Sequence, residues 1–410
     1  MRFWSALSGK ATVPPTTQTI VQSERTFTKN GGTPLSTTWI PYFQAQLDDI
    51  LKELREYVEI ETPTHDKQAV DSLGGVIAER FRKLGCRVER IEQQQFGDQL
   101  RVEYGEGEEQ LLILGHFDTV KEIGTLATEP WRIEDGRVYG PGTYDMKAGI
   151  IFCYFALKAI IDSGLPLTKK LVFFWNTDEE VGSPSSEQLI RAEARKSAAA
   201  LVIEPSFGNG LIKTSRKGGG EFTLHAKGKA AHAGNDHAKG VNAIEEIAHQ
   251  IVRIQSWTNY DSGTTLSVGK INGGTVSNVV PEAAHAIIDV RVSKREEAER
   301  ITKLMHGLTP VLPHAELQVE GGIPKPPMER SEKTVLLFKH AQRLAAEEGF
   351  TLDEIGVGGT SDGNFCADEG TPTLDGLGPV GDGAHASHEH VLISAIPERI
   401  ALLLRMMTTL

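Results

Sequence analysis

Three stretches of the chain are apolar without interruption: Leu111-Leu112-Ile113-Leu114, Leu171-Val172-Phe173-Phe174 and Ala200-Leu201-Val202-Ile203. A strand with one wet face alternates apolar and polar residues, so continuous runs predict strands buried on both faces. Ahead of them, apolar positions recur at steps of three and four, which predicts helices over 41–57 and 66–84. Buried strands that alternate with helices make an α/β fold, a sheet covered by helices.

The pattern changes near Lys213 and changes back near Gly322. Phe222, Leu224 and Ala226 alternate with polar residues, and Val241, Ile244, Ile247, Ala248, Ile251 and Ile254 then follow a helical period that Asn242 with Glu245 can cap. Candidate strands at 264–272 and 284–292, a helix at 294–308 with Ala298, Ile301, Leu304 and Leu308 on one face, and a strand at 315–320 complete the order βαββαβ. The organisation expected is an extension rich in Thr, Pro and Gly over 1–40, a main domain in two parts, 41–212 and 323–410, and an inserted two-layer domain over 213–322.

A chain of 410 residues accommodates two such domains. Its 43 basic against 55 acidic residues leave a net charge of -12 and no dense Lys/Arg block, so nucleic acid is not an expected partner. Cys86, Cys153 and Cys366 are far apart and lack paired metal spacing, which fits small core residues in a reduced, cytoplasmic protein. No run reaches the roughly 20 apolar residues of a membrane helix, and Phe3-Trp4 with Ala6-Leu7 is too short for a signal peptide, so no membrane partner is expected.

Ligands of an open α/β sheet gather beyond the carboxyl ends of its strands. Three such ends carry metal-type side chains: His116 and Asp118 after the first run, Asp178-Glu179-Glu180 after the second, Glu204 after the third. Each alone reads equally as a loop residue, and the acidic triplet as a solvated turn; together they suggest a metal site. A metal-bound imidazole usually donates its other N–H to a carboxylate, a role the spacing of Asp118 from His116 allows. Asp145 stands between the glycine-rich turn Tyr139-Gly140-Pro141-Gly142 and an apolar helix, either as an N-cap or as a carboxylate bridging two metals.

The ordered segments GHFDTV, GPGTYDMKAG, NTDEEVGS, VIEPS, GKAAHAG, GGTVSNVVPE and GTSDGNF…GAHASHEHV resemble the dinuclear zinc aminoacylase and carboxypeptidase family, from about residue 50 to the end. The resemblance leans to the bacterial glutamate carboxypeptidase branch, with acetylornithine deacetylase and succinyl-diaminopimelate desuccinylase as relatives. It implies a zinc-peptidase-like domain with a mixed sheet, and an inserted ferredoxin-like lid through which the protein forms a homodimer. It also implies two Zn²⁺ per subunit, with Co²⁺ or Mn²⁺ as substitutes: His116 and Glu204 on one, Glu180 and His385 on the other, and Asp145 between them. The charge closes, since two zinc ions against Asp145, Glu180, Glu204 and one hydroxide sum to zero. Glu179 is left as general base for attack of a metal-bridging hydroxide on an amide of a small peptide or N-acyl amino acid.

The resemblance further implies that His232 reaches a partner's active site and that Asn278 touches substrate; each reads otherwise as a surface turn residue. Gly359 and Thr360, in Gly358-Gly359-Thr360-Ser361-Asp362, can offer backbone N–H groups to a substrate carboxylate, with Ser361 and Asp362 as capping residues the alternative. Two departures stand out. Lys325 occupies a position where acidic-residue carboxypeptidases carry arginine, and keeps the charge but not the bidentate fork, which weakens the case for glutamate. In Ala384-His385-Ala386-Ser387-His388-Glu389-His390, two histidines replace the usual acidic and aromatic residues. His385 is the expected ligand, and His388 the alternative. An N-acyl amino acid deacylase, a dipeptidase and a silent binding protein on the same fold are the competing functions.

Overall fold

The three apolar runs lie side by side in a six-stranded mixed sheet, in the order Arg87–Ile91, Gln99–Tyr104, Lys170–Asn176, Gln110–His116, Ser197–Val202, Thr373–Leu374. The computed structural model describes residues 38–410, which form one unit; nearly all of the expected extension over 1–40 lies outside the described residues. Successive side chains of one strand serve opposite cores. Leu111 and Ile113 join the apolar cluster under helices Leu47–Val58, Lys67–Lys83, Ala148–Ser163 and Ile396–Thr409. Leu112 and Leu114 join Ile190, Ala194, Phe365 and Cys366 on the other face. Each such side chain contributes about 2 kcal/mol by leaving water, which is why both faces are apolar.

The strands Lys170–Asn176, Gln110–His116 and Ser197–Val202 are parallel, with His116 opposite Asn176 and Leu114 opposite Val202. Their carboxyl ends therefore share one edge of the sheet. The helix Ala148–Ser163 is apolar on almost every side and buried along its length. At Gly149 a Cβ would stand 2.5 Å from the carbonyl oxygen of Ile203, so only glycine lets the start of this helix approach the strand end that leads into Glu204.

A four-stranded antiparallel sheet forms the inserted layer, in the order Thr265–Gly273, Ala283–Val292, Gly218–Lys227, Glu316–Lys325. Helices Ala243–Gln255 and Arg295–His306 cover one face through Phe222, Leu224, Ile247, Ile254, Ile288, Ile301 and Met305. This is the βαββαβ order with ferredoxin-like pairing. The Asn242 side chain accepts the N–H groups of Ile244 and Glu245, as the cap expected there.

Two details differ from the reading of the pattern. The helix expected over 41–57 is two, Ile40–Gln44 and Leu47–Val58. Trp39, Tyr42 and Phe43 pack ring against ring ahead of the break, and this tertiary packing overrides a period that continues unbroken in the sequence. The inserted layer also begins and ends later than 213 and 322. Ile212–Arg216 pairs in parallel with Glu354–Val357 of the main body, while the last strand of the layer runs on to Lys325, opposite Gly219. The first crossing is short and polar and the second is rich in proline, so periodicity marks neither.

A small sheet of Arg132–Glu134, Arg137–Tyr139, His390–Leu392 and Gly381–Asp382 sets His390 opposite Tyr139. It carries the hairpin that contains His385 to the turn that leads into Asp145.

Candidate metal centre and active site

His116 closes its strand with the imidazole buried and both nitrogens facing carboxylates. Nδ1 lies 3.1 Å from the Asp118 carbonyl oxygen and 3.3 Å from Asp118 Oδ1. Nε2 lies 3.3 Å from Asp145 Oδ1 and 3.6 Å from Glu204 Oε1. Asp118 is held in turn, since its Oδ2 accepts from Thr64 Oγ1 at 2.8 Å and from the N–H of Glu180 at 3.3 Å. Asp145 does not cap the helix that follows; its φ of -115° and ψ of 94° are extended, and Lys147 stands at the N-cap.

A second trio forms on the other oxygen of Asp145. His385 Nε2 lies 3.4 Å from Asp145 Oδ2 and 3.1 Å from Glu180 Oε2. His385 has φ 65°, a left-handed conformation that costs a non-glycine residue on the order of 1 kcal/mol and persists only where its surroundings impose it. His388 is exposed, and its carbonyl oxygen accepts from His390 Nδ1. Between the two histidines, the one brought to the carboxylates is His385.

Donors about 2.0–2.2 Å from a shared tetrahedral ion stand about 3.3–3.6 Å from one another, close to the 3.1–3.6 Å between each histidine nitrogen and its two carboxylate oxygens. Asp145 Oδ1, Glu180 Oε1 and Asp118 Oδ1 are buried with no hydrogen-bond partner, a costly arrangement unless a cation faces them. Imidazole nitrogens and carboxylate oxygens suit zinc and similar divalent ions. The residues therefore fit a pair of metal ions with Asp145 between them. Protons show the same excess of negative charge. Burial opposes a charge on His116, yet Asp118, Asp145 and Glu204 outweigh it and raise its pKa well above the usual value. Hydrogen bonds to Asp145 and Glu180 push His385 up to about 10. Burial raises Glu204 to about 7.

The acidic triplet divides into three tasks. Asp178 accepts from the N–H of Ser185 at 2.6 Å and from Ser186 Oγ at 2.5 Å, which ties down the turn. Glu180 faces His385. Glu179 also has an oxygen within 4.8 Å of donors on His116 and Glu204, so by position alone it competes with Asp145 as a ligand. Its Oε1, however, accepts from Lys325 Nζ at 3.0 Å, whereas the inner oxygens of Asp145 and Glu180 have no partner. Burial holds the Glu179 carboxyl well above the usual carboxylate range, an effect the Lys325 ammonium partly offsets.

Several residues that frame the site carry no sequence signal. Glu389 is buried and accepts three backbone N–H groups, from Gly142 at 3.0 Å, Tyr144 at 2.9 Å and Asp145 at 3.0 Å. Arg216 makes a two-pronged bond to Asp375, both contacts 2.8 Å, and also donates to the carbonyls of Gly359 and Thr360. Buried charges of this kind sit at isolated positions, so no periodicity reveals them. At the helix start beyond Thr360, the N–H of Ser361 goes to Asn364 Oδ1 and that of Gly363 to Ser361 Oγ. Those two donors are used inside the turn. Asp362, read as a possible cap, instead accepts from Asn176, Ser183 and Lys325.

His232 and Asn278 lie on the inserted layer, joined by a bond from the N–H of Ala233 to the Asn278 carbonyl oxygen at 2.9 Å. Among the described residues neither makes a hydrogen bond to His116, Asp145, Glu180, Glu204 or His385. His232 Nδ1 accepts the N–H groups of Gly234 and Asn235, both at 3.1 Å. The ring proton is thereby on Nε2, on an exposed imidazole that offers a donor outward.

Comparison with known proteins identifies the family. Residues 112–409 match Peptidase family M20/M25/M40. Carboxypeptidase G2 of Pseudomonas sp. strain RS-16 is 31% identical over 379 residues, 90% of this chain and 91% of that protein. Succinyl-diaminopimelate desuccinylase of Wolinella succinogenes is 28% identical over 318 residues, 73% and 84% of the two chains. Among solved structures, aminopeptidase PepT of Bacillus cereus superposes with a TM-score of 0.74 at 22% identity, covering 88% of this chain and 98% of that one. An M20 metallo-carboxypeptidase of Sulfolobus solfataricus gives 0.67 at 17%, covering 88% and 99%. The chain thus belongs to peptidase family M20/M25/M40, whose members depend on metal, and is an enzyme of the metallopeptidase and amidohydrolase kind.

Proposed function

We propose that the protein is a dinuclear zinc hydrolase that releases a C-terminal amino acid from a small peptide or N-acyl amino acid, in the manner of a glutamate carboxypeptidase. The observation that carries this reading is the division of Asp145 between two trios, Oδ1 towards His116 and Glu204 and Oδ2 towards His385 and Glu180. His116, Glu204, Glu180, His385 and Asp145 would hold two zinc ions there, which when bound would lower the pKa of a bound water towards about 7 and polarise the substrate carbonyl. Glu179, with Oε1 occupied by Lys325, uses Oε2 to take a proton from the attacking water. The water oxygen bonds to the acyl carbon, the C–N pair leaves with nitrogen, and Glu179 returns the proton to that nitrogen. His116 is kept in the Nε2-binding tautomer by Asp118.

The donor for the developing oxyanion is the outward Nε2–H of His232, supplied by the partner subunit in a homodimer formed through the inserted layer, with Asn278 beside it. Next to Glu180, a cleft of about 410 Å³ is lined by apolar Pro63, Val120, Ile123 and Val181 and by polar Thr64, His65, Asp66, Thr119 and Glu122. Three of its side chains, Val120, Ile123 and Val181, are exposed by 41–56%, and we assign this wall to the apolar acyl portion of the substrate. Cys86, Cys153 and Cys366 are free and buried, and this supports a cytoplasmic setting. Among the described residues no helix is long and apolar enough to cross a membrane.

A second reading, an N-acyl amino acid deacylase, draws support from Lys325, whose ammonium is already paired within the protein and so reads a glutamate side chain poorly. Metal analysis followed by an amine-release screen over acyl-glutamates, acetyl-amino acids and dipeptides separates the two. About two zinc per chain and preferred release of glutamate are expected; preferred release of acetate favours the deacylase, and a metal-free active enzyme overturns both.

A further inference from the structure

Lys325 is the last residue of the strand Glu316–Lys325, where the chain leaves the inserted layer for the main body. The pairing is irregular between Gly322 and Lys325 and resumes with Lys325 opposite Gly219. The two chain crossings touch here, since a Cβ on Gly218 would stand 2.8 Å from the Lys325 carbonyl oxygen and 2.7 Å from Pro327 N. The residue is 6% exposed, and its ammonium has three neighbours: Glu179 Oε1 at 3.0 Å, Asp362 Oδ1 at 2.9 Å and the Phe365 ring with its centroid at 5.1 Å. Asp362 cannot follow a moving lysine, because Asn176 Nδ2 and Ser183 Oγ bond it from the edge of the main sheet.

This arrangement is a poor stability device. A buried ion pair rarely improves on apolar packing, and here a single cation faces two carboxylates. It is also a poor reader of a substrate carboxylate, because the two bonded carboxylates and the aromatic face enclose the ammonium. What it does accomplish is to hold one oxygen of Glu179 and so decide where the other points.

We propose that Lys325 is a positioning residue for Glu179: anchored on Asp362 at the crossing between the two layers, it holds Glu179 Oε1 and thereby directs Oε2 to the reacting water. The inference rests on the reading of Glu179 as general base.

The test compares Lys325→Met, Lys325→Arg and Glu179→Gln with the wild-type holoenzyme. Metal content, kcat and KM are measured for an acyl-amino acid and for its C-terminal amide. Lys325→Met is expected to keep its metal and its KM while kcat falls about 100-fold on both substrates, the scale of a misdirected general base. Lys325→Arg, which restores a cationic donor, is expected to recover to within about 10-fold of wild type with KM unchanged. A raised KM with kcat preserved, confined to the substrate with a free carboxylate, overturns the proposal in favour of substrate recognition. Loss of metal from a folded Lys325→Arg also overturns it. If Lys325→Met does not fold, Lys325→Arg decides by the same split between kcat and KM. Should Glu179→Gln keep its turnover, the base assignment itself fails; an inactive Glu179→Gln beside an unimpaired Lys325→Met sinks only the role of Lys325.

Discussion

The carboxylate of Glu389 accepts the backbone N–H of Asp145 at 3.0 Å, across 244 positions of sequence, and so sets the one residue whose two oxygens serve both histidines. Glu389→Ala leaves the N–H groups of Gly142, Tyr144 and Asp145 without a buried acceptor. The expected result is a fall in metal affinity of about 10–100-fold, the usual cost of losing a residue that orients a ligand. Titration of the metal-free variant with zinc checks it, and unchanged affinity would show that the turn holds Asp145 unaided.

Glu179 and Glu180 are adjacent and are expected to fail differently. Glu180→Gln should lose about one of two metals, since it removes a ligand of the His385 trio, whereas Glu179→Gln should keep both and lose about 10²–10⁴ in kcat. Metal content by atomic emission beside steady-state rates checks the pair. A Glu179→Gln protein short of metal would mean that the two roles had been exchanged.

If His232 acts from the partner subunit, a hybrid dimer of His232→Ala with Glu179→Gln contains one intact site. After equal mixing and complete exchange, about a quarter of wild-type activity is expected from two inactive parents, because half the dimers are hybrids. No recovery after confirmed exchange would place the His232 donor elsewhere.

The aliphatic wall beside Glu180 is expected to read the acyl group. Ile123→Asp should raise KM about 10-fold for an aromatic or long aliphatic acyl group and far less for acetyl, since it replaces apolar contact with a charge. Equal effects on both substrates would remove the cleft from substrate binding.

Away from the site, burial would raise the Glu193 carboxyl, but Arg101, Lys196 and Gln110 bond it and bring it down to about 2. A depressed carboxylate adds stability above its unfolded value near 4.5 and loses it as the pH falls towards 2. Glu193→Gln should therefore cost about 2–3 kcal/mol at neutral pH, the scale of charged hydrogen bonds. The gap should narrow between about pH 4.5 and 3, which urea unfolding at a series of pH values can follow. A constant gap would show that Glu193 acts through packing alone.

The sequence by itself determined the layers. Runs such as Leu111–Leu114 predict strands covered on both sides, and the shift to alternation at Phe222, Leu224 and Ala226 announces a second sheet with one open face. It also supplied the residue types of a metal site, because strand ends are local features and His116, Glu179, Glu180 and Glu204 lie within a few residues of the ends of apolar runs.

Only the tertiary structure decided which of these side chains meet. Parallel pairing of three strands brings His116, Glu180 and Glu204 to one edge, and the small sheet around Tyr139 and His390 selects His385 over His388. It likewise gave Glu179 a lysine partner 146 positions away, and revealed the supports at Glu389, Arg216 and Asp362. Periodicity reports which face of an element is dry. The partner of a buried charge is set by how distant segments cross, and no local pattern carries that information.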